Sequence, residues 1–566
     1  MIMRRLLATR KRGSTRTTIL AGFAAAQLLW ACVGSIGDSD GEGGPGAGGP
    51  GEASQQIGAT TRFARLTHEQ YDNTVRDLLE QAPTAPVYSD DFRADAGSEY
   101  LYDNDTYVIG VDQSLHRSYE RAAALIAEDF VNDGALYDKW VPASGSDEER
   151  ARGFVEAFGE RVHRRPLTAD QVDDYLALAQ LGGTTYDDTP GLPGSIRLMV
   201  EALFTSPYFL YRTELSHEPV EGIVPLDGYE IATRLSYTLW NTMPDDALFD
   251  KAQDGSLTDA DALRAEVDRM LKDDRSTAVF TKVLSQAMGV YRYDNISPNQ
   301  SVYPNAPANL ADLAIAELSA LMQDAYVNGK TYRELLVEPR TFVNADLAPL
   351  YGLTGSYGAD FEEAQLDGAE RRGLLTTVGF LASNASSVNP DPIHRGLFIA
   401  QKLLCSNVSA PPGEIPPLPT PDPDQTNREA IEAITEVPGS SCVACHGTVI
   451  NPFGFPFENF DSVGSLRTDD NGNPLDLATS PTIDGETLEV DGALELIDAL
   501  ASSDVAYQCY GQLLSSYLMG RPYDDADEDL AGRIGDAAFA DSPLVDVIAE
   551  ALVSPQFTYR RLEDAQ

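Results

Sequence analysis

The chain is poor in basic residues. Its 566 residues include only 41 lysines and arginines against 88 aspartates and glutamates, so the formal net charge is −47. A protein that binds nucleic acid needs a basic surface, so this composition argues against nucleic acid as a partner. An anionic bilayer would also repel the body of the protein, and membrane association must therefore come from a covalent anchor.

Residues and motifs that carry chemistry are also scarce. The chain has five cysteines, six histidines and eight methionines. It contains no Gly-rich phosphate loop, no G-x-S-x-G elbow and no H-E-x-x-H run, so hydrolase and nucleotide-binding functions have no support. Sustained period-two alternation is missing as well, apart from short stretches around residues 465–490, which disfavours a large sheet.

One motif indicates a specific chemistry. Cys442, Cys445 and His446 form a C-x-x-C-H run, the pattern by which c-type haem is attached to a polypeptide. The two thiols form thioethers with the haem vinyl groups, and the imidazole becomes the proximal ligand of the iron. The sequence therefore predicts covalent haem c at these three residues.

Other interpretations of this run stay open. A structural zinc site needs four ligands, and only the isolated Cys405 and Cys509 remain to complete one. A thioredoxin-like motif should follow a strand in a βαβ unit, and no such pattern surrounds residue 442. A structural disulfide is compatible with an exported chain.

The N-terminus predicts export. Basic residues precede a short apolar stretch, 18–30, that is too short and too early for a membrane span. Its end, Leu29-Trp30-Ala31-Cys32, resembles a bacterial lipobox. Residues 1–31 are therefore predicted to be a lipoprotein signal peptide and Cys32 the lipidated residue, with an ordinary cleaved signal peptide as the alternative.

The residues after Cys32 predict a tether. Residues 32–58 are dominated by Gly, Ser, Pro and acidic residues, with no apolar period that could pack. The folded part would then be extracytoplasmic, held by its lipid at the periplasmic or outer face of a bacterial membrane. Export also favours haem c, because covalent haem attachment in bacteria takes place outside the cytoplasm.

Apolar periodicity predicts a mainly α, multidomain protein with a small cytochrome-like domain and a short hairpin within 465–490. Capping boxes at Thr67, Ser146 and Thr168 predict three helix starts. A repeated sequence, 201–212 and 550–560, predicts two similar helix junctions with a Ser-Pro break. The predicted helices cover residues 67–79, 146–163, 168–182, 195–214, 229–240, 259–272, 276–289 and 309–328.

Several segments together resemble a family of exported proteins, abundant in planctomycetes and myxobacteria, that join planctomycete-specific PSD domains to a planctomycete cytochrome C type domain. The strongest likeness is the C-x-x-C-H run followed by the Phe-rich segment 451–461. The other similar segments are 65–79, 164–168, 203–212, 342–353, 394–396, 404–405, 518–521 and 554–557.

The resemblance implies a domain plan and a cofactor but no reaction, because the family is of unknown function. It implies PSD-type helical domains in the first half and at the C-terminus, with the C-x-x-C-H domain between them. The implied domains are 59–140, 141–215 and 216–355 (PSD type), 366–487 (cytochrome C type) and 488–566 (PSD type).

The second axial ligand is not fixed by the sequence. Relatives often place a Met shortly after the C-x-x-C-H run, where this chain has Val449 and Ile450. Met519 and His394 are the remaining candidates, and an open position is the third possibility. A Met or His ligand would indicate electron transfer, whereas an open iron would admit peroxide.

We therefore expect an exported, lipid-anchored c-type haem protein that transfers electrons to or from redox partner proteins. Cys405 and Cys509 are a candidate disulfide between the cytochrome-type and final domains, given an oxidising compartment. Two alternatives remain: a surface scaffold or glycan-binding protein with a disulfide or zinc at the C-x-x-C-H run, and a haem peroxidase-like oxidoreductase.

Overall fold

The structure is a computed structural model, and it describes residues 57–58, 61–85, 87–95, 102–220, 222–409 and 424–561. The predicted signal peptide, Cys32 and residues 32–56 of the predicted tether lie outside the described residues. The last two residues of that tether, Ile57 and Gly58, are buried. Among the described helices, none is both long enough and apolar enough to cross a bilayer.

The fold is mainly α, which confirms the predicted class. In the first part of the chain the helices are α1 His68–Leu78, α2 Gln113–Asn132, α3 Gly134–Trp140, α4 Asp147–His163, α5 Ala169–Thr185, α6 Leu192–Thr205, α7 Pro207–Leu210, α8 Gly228–Leu239, α9 Asp246–Gln253, α10 Ala260–Met270, α11 Asp274–Ala287, α12 Leu310–Val327 and α13 Tyr332–Val337. In the second part they are α14 Val378–Ser383, α15 Pro392–Phe398, α16 Asn427–Thr435, α17 Val443–Cys445, α18 Asn451–Gly454, α19 Ala493–Leu500, α20 Asp504–Met519, α21 Glu528–Phe539, α22 Leu544–Leu552 and α23 Pro555–Thr558.

Short 3₁₀ and π turns and small antiparallel strand pairs connect these helices. The 3₁₀ turns are Ser256–Thr258, Val290–Asn295, Ala348–Tyr351, Leu374–Thr376, Phe455–Phe457 and Asp525–Asp527, and the π turns are Ile399–Leu403 and His446–Ile450. The strands are β1 Phe63–Arg65, β2 Tyr211–Thr213, β3 Ile223–Pro225, β4 Arg340–Val343, β5 Glu362–Gln365, β6 Asp469–Asp470, β7 Asn473–Pro474, β8 Ala478–Thr479, β9 Thr482–Ile483, β10 Glu486–Thr487, β11 Val490–Asp491 and β12 Tyr559–Arg561.

Local sequence signals account for many helix and hairpin boundaries. The three predicted capping boxes, at Thr67, Ser146 and Thr168, are all present and start α1, α4 and α5. The predicted hairpin region holds the pairs β6–β7, β8–β11 and β9–β10. The loop of β6–β7 consists of Asn471 and Gly472, both with positive φ, as a two-residue I′ turn requires.

Two predicted helix ends are wrong, and in each case the structure shows the physical reason for the different end. Helix α5 was expected to stop at Gly182, but it continues to Thr185. A Cβ at Gly182 would lie 2.7 Å from the Gly194 carbonyl oxygen, so this glycine permits close packing onto α6 rather than ending the helix. The helix predicted over 195–214 ends at Thr205 instead, because Pro207 forces a break before the single turn α7 and strand β2.

Two buried clusters of side chains form the cores. The first is built almost entirely from residues between Leu66 and Leu210. The second is built mainly from residues between Leu226 and Phe557 and includes α12, α14, α15 and α20. The first two predicted domains thus share the first core. The C-x-x-C-H segment belongs to the part of the chain that packs around the second core. The predicted domain boundaries stay predictions.

The chain builds the same arrangement twice. In the first copy β1 leads into α1, and α4 to α7 lead into β2, which pairs with β1. In the second copy β3 leads into α8, and α20 to α23 lead into β12, which pairs with β3. Helices α4 and α20 both end at a left-handed residue, Arg164 and Gly520, just before an Arg-Pro pair. The repeated sequence is thus part of a larger repeat, and the C-x-x-C-H segment is inserted in its second copy.

A buried carboxyl lies in the second core. Glu317 on α12 is 1% exposed, and its Oε1 accepts hydrogen bonds from the hydroxyl groups of Thr341 and Tyr351. Burial raises the pKa of Glu317 to about 7, although the hydrogen bonds from Thr341 and Tyr351 lower it. This pKa exceeds the ordinary value of 4.5, so the folded protein binds the proton of Glu317 more tightly than the unfolded chain does. The protonated carboxyl therefore contributes its full stabilisation of the fold below pH 4.5, and this contribution is lost as pH rises through about 7.

Replacing Glu317 with glutamine is expected to remove this loss, because an amide stays neutral. Relative to wild type, the free energy of unfolding of Glu317→Gln should increase by about 3 kcal/mol between pH 4.5 and about pH 8. Urea unfolding followed by circular dichroism at both pH values measures this difference. Glu120→Gln, whose carboxyl is 58% exposed, is the control and should run parallel to wild type. If the free energy of unfolding of Glu317→Gln also changed with pH in parallel with wild type, the raised pKa of Glu317 would be contradicted.

Candidate functional site

The C-x-x-C-H run begins a helical segment. Cys442 caps the single turn α17, which continues through the π turn His446–Ile450 into α18. Cys442 is half-buried and Cys445 exposed, and both are free thiols. Residues three apart on a helical turn share a face, so the two cysteines lie on one side of this segment, and both are at least partly exposed to solvent.

Helix α15 holds this segment in place through two glycines. A Cβ at Gly396 would overlap the carbonyl oxygen of Ile450, and a Cβ at Gly454 would overlap that of Pro392. Only glycine allows the two backbones to approach so closely. The contact sets α15 against the segment that starts at Cys442.

Arg395 fastens the same region from inside. Its guanidinium is fully buried and donates to the carbonyl oxygens of Phe457 (2.8 Å), Phe460 (3.1 Å), Leu381 (3.1 Å) and Asp461 (3.1 Å). The Leu381 carbonyl belongs to α14, and the other three belong to the second half of the Phe-rich segment 451–461. The phenylalanines of that run are almost fully buried, which fits a role in the core of this region; they are Phe453, Phe455, Phe457 and Phe460.

One of the two ring nitrogens of His446 forms a hydrogen bond within the protein. Nδ1 lies 3.2 Å from Oδ1 of Asn451, a residue that is only 1% exposed. Within the described part of the chain, Nε2 has no hydrogen-bond partner. Histidine ligands commonly use one ring nitrogen for a second hydrogen-bonding residue and the other for the metal. Asn451 was not among the predicted site residues.

These observations fit haem c. The group needs two accessible thiols at the C-x-x-C spacing and a histidine with a free nitrogen beside them. Cys442, Cys445 and His446 supply that set of donors. The zinc alternative finds no such support: among the described residues, no group of three or more His, Cys, Asp or Glu side chains is placed to hold a metal ion.

The structure does not bring His394 to His446. Pro392 and Gly396 face the C-x-x-C-H segment, and His394 lies two residues from each, on the opposite side of α15. Its side chain is 51% exposed, and its Nδ1 lies 2.6 Å from Oδ2 of Asp391, the N-cap of the same helix.

Met519, the other predicted candidate, lies elsewhere as well. It is the last residue of α20 and lines a cavity of about 40 Å³ together with Asn104, Arg212 and Gly520. No residue of 442–446 is among the residues that line this cavity. The second axial ligand therefore stays a prediction.

Cys405 and Cys509, the candidate disulfide, are joined in the structure, with Cα atoms 5.3 Å apart. The bond links the chain just after the π turn Ile399–Leu403 to the middle of α20, and Cys509 is 1% exposed. It closes a sequence separation of 104 residues. Neither cysteine is therefore free to complete a zinc site at the C-x-x-C-H run.

Comparison with protein families gives four matches, each described as a protein of unknown function. They are PSD3 (DUF1587) over residues 64–132, PSD5 (DUF1595) over 150–214, PSD4 (DUF1592) over 226–353 and PSCyt3 (DUF1588) over 371–470. The PSCyt3 match contains the C-x-x-C-H run. No curated protein and no solved structure matches the chain. The chain therefore carries three planctomycete-type PSD domains of unknown function and a PSCyt3 domain, whose name marks it as cytochrome-like.

Proposed function

We propose that Cys442, Cys445 and His446 hold a covalent haem c and that the protein carries electrons to or from redox partner proteins. The observation that carries this proposal is the pair of free, accessible thiols on one face of a helical turn, followed directly by a histidine whose Nε2 is unpartnered among the described residues. When bound, haem supplies reversible one-electron chemistry. The cytochrome-like name of the PSCyt3 domain supports the proposal.

The roles of the three residues follow from their chemistry. Each thiol would add across one vinyl group: a carbon–sulfur bond forms, the thiol hydrogen moves to the other vinyl carbon, and nothing leaves. Nε2 of His446 would then be the proximal ligand. Helix α15 packs through Gly396 against the backbone of Ile450 and so supports the segment that carries these three residues.

Electron transfer and peroxidase activity can be separated on the haem-loaded protein. We expect reversible uptake of one electron per haem in a spectroelectrochemical titration, and no sustained oxidation of a dye when hydrogen peroxide is added. Rapid peroxide turnover, with a five-coordinate ferrous spectrum, would contradict electron transfer and favour an oxidoreductase that activates peroxide.

We also propose that Cys32 carries a lipid that anchors the exported protein to a bacterial membrane. The support is the sequence before it, since a lipobox-like run ends an apolar stretch that follows basic residues. In its native type of host the wild-type protein is expected in the membrane fraction and Cys32→Ser in the soluble fraction, with Cys405→Ser retained in the membrane. An unchanged distribution of Cys32→Ser would contradict the anchor.

A further inference from the structure

The hydrogen bonds of Asn451 permit only one orientation of its amide. Its Nδ2 donates to Thr435 Oγ1 at 3.0 Å and to Glu436 Oε1 at 2.7 Å. The Thr435 hydroxyl donates its own hydrogen to the Ile431 carbonyl at 2.7 Å, so towards Asn451 its oxygen acts as an acceptor. A carboxylate is also an acceptor. Both N–H groups of Asn451 are thus placed, and Oδ1 is the atom that faces His446.

This orientation determines the tautomer of His446. An amide oxygen only accepts, so Nδ1 of His446 at 3.2 Å must carry the hydrogen. A neutral imidazole has one N–H, and its lone pair is therefore on Nε2. The tautomer follows from a chain of donors and acceptors that begins at the Ile431 carbonyl on α16.

We infer that Asn451 is a positioning residue that holds His446 with its hydrogen on Nδ1 and its lone pair on Nε2, ready to bind iron. The carboxylate of Glu436, one hydrogen bond behind Asn451, polarises the amide and makes the imidazole a stronger donor. The purpose of this arrangement rests on the proposed haem function, whereas the tautomer is a property of the protein alone.

A packing role would look different. Asn451 is 1% exposed and lies in an otherwise apolar run, where a leucine would fill similar space without polar atoms that need partners. Three hydrogen bonds instead connect it to His446 and to the end of α16, whose last residue is Thr435. The buried polar groups of Asn451 therefore link α16 to His446.

The tautomer is measured on the full chain produced without haem maturation and with ¹⁵N-labelled histidine. At a pH where the imidazole is neutral, long-range proton–nitrogen spectra distinguish the two tautomers, and the signal lost in His446→Gln identifies the residue. We expect the Nδ1–H form in wild type and in Asn451→Asp, which keeps an oxygen acceptor, and its loss in Asn451→Leu. Asn459→Leu, in the same segment, should behave as wild type. An Nε2–H form in wild type, or no change in Asn451→Leu, would overturn the inference.

A second readout uses the haem-loaded protein. Loss of the Asn451 hydrogen bond weakens the donor strength of His446, so the reduction potential of Asn451→Leu is expected to rise above that of wild type and of Asn459→Leu. An unchanged potential would overturn the role of Asn451 towards iron. If no haem is attached at all, the proposed function fails while the tautomer result stands. If haem is attached and the Asn451→Leu tautomer is unchanged, the inference fails and the function stands.

Discussion

The full-length double variant Cys442→Ser/Cys445→Ser is expected to carry no covalent haem when it is produced together with a cytochrome c maturation system. Serine hydroxyls do not form the thioethers that attach haem, so the whole signal should disappear from a haem-stained denaturing gel and from the pyridine haemochrome spectrum. Each single variant should keep at most one thioether, which shifts the haemochrome band towards that of a haem with one remaining vinyl group.

Ser441→Ala is the matched control, because this exposed residue directly precedes the run and has no thiol. It should retain the full wild-type signal. His446→Gln should lose or weaken attachment as well, since the run is recognised as a whole. A double-cysteine variant that kept the full covalent signal would place haem elsewhere in the chain and would remove the basis of the proposed function.

Replacing Arg395 with methionine is expected to lower the free energy of unfolding by about 3 kcal/mol or more. Methionine fills similar space but donates no hydrogen bond, so the buried carbonyl groups that Arg395 now satisfies lose their donor. Burial lowers the pKa of Arg395 to about 10, with partial compensation from Glu458, which indicates how completely this charge is removed from water. Urea unfolding near neutral pH measures the effect.

Two further variants show whether this geometry is the cause. Arg395→Lys keeps the positive charge, but a single ammonium group cannot span four carbonyls, so its stability should fall between those of wild type and Arg395→Met. Arg152→Met removes an arginine that is 44% exposed and paired with Asp173, and should cost about 1 kcal/mol or less. If Arg395→Met and Arg152→Met had equal stability, Arg395 would not be the fastening residue of this region.

Local signals explain what the sequence predicts well. Helix starts with reciprocal capping partners, such as Thr67 with Gln70, depend on residues three apart and are present in the structure. Helix α2 is capped by Asp112, and its third residue is Leu115 rather than Glu or Gln. It therefore lacks the capping-box signal and has no counterpart among the predicted helices.

Long-range contacts explain what the sequence does not predict. The continuation of α5 through Gly182 depends on the backbone of α6, and the break after Thr205 depends on the Ser-Pro junction. At the candidate site, the C-x-x-C-H pattern alone points to Cys442, Cys445 and His446. Asn451 gives no such signal, because its role depends on Thr435 and Glu436, which only the folded chain brings to its side.

The same reasoning applies to the second axial ligand. His394 and Met519 are candidates because their side chains can bind iron, but the residue type alone does not tell whether the side chain lies near His446. Helix geometry places His394 on the far side of α15, and Met519 lines a different cavity. Spectra of the haem-loaded Met519→Leu and His394→Ala variants would show whether either residue is an axial ligand of the iron.

The most direct test of the central claim is the iron content of the wild-type protein, measured together with its pyridine haemochrome spectrum after maturation in a host that exports and attaches haem c. We expect one iron per chain and the spectrum of a haem held by two thioethers, retained after denaturation. Stoichiometric zinc without iron, or a protein that contains neither metal nor covalent haem, would contradict it.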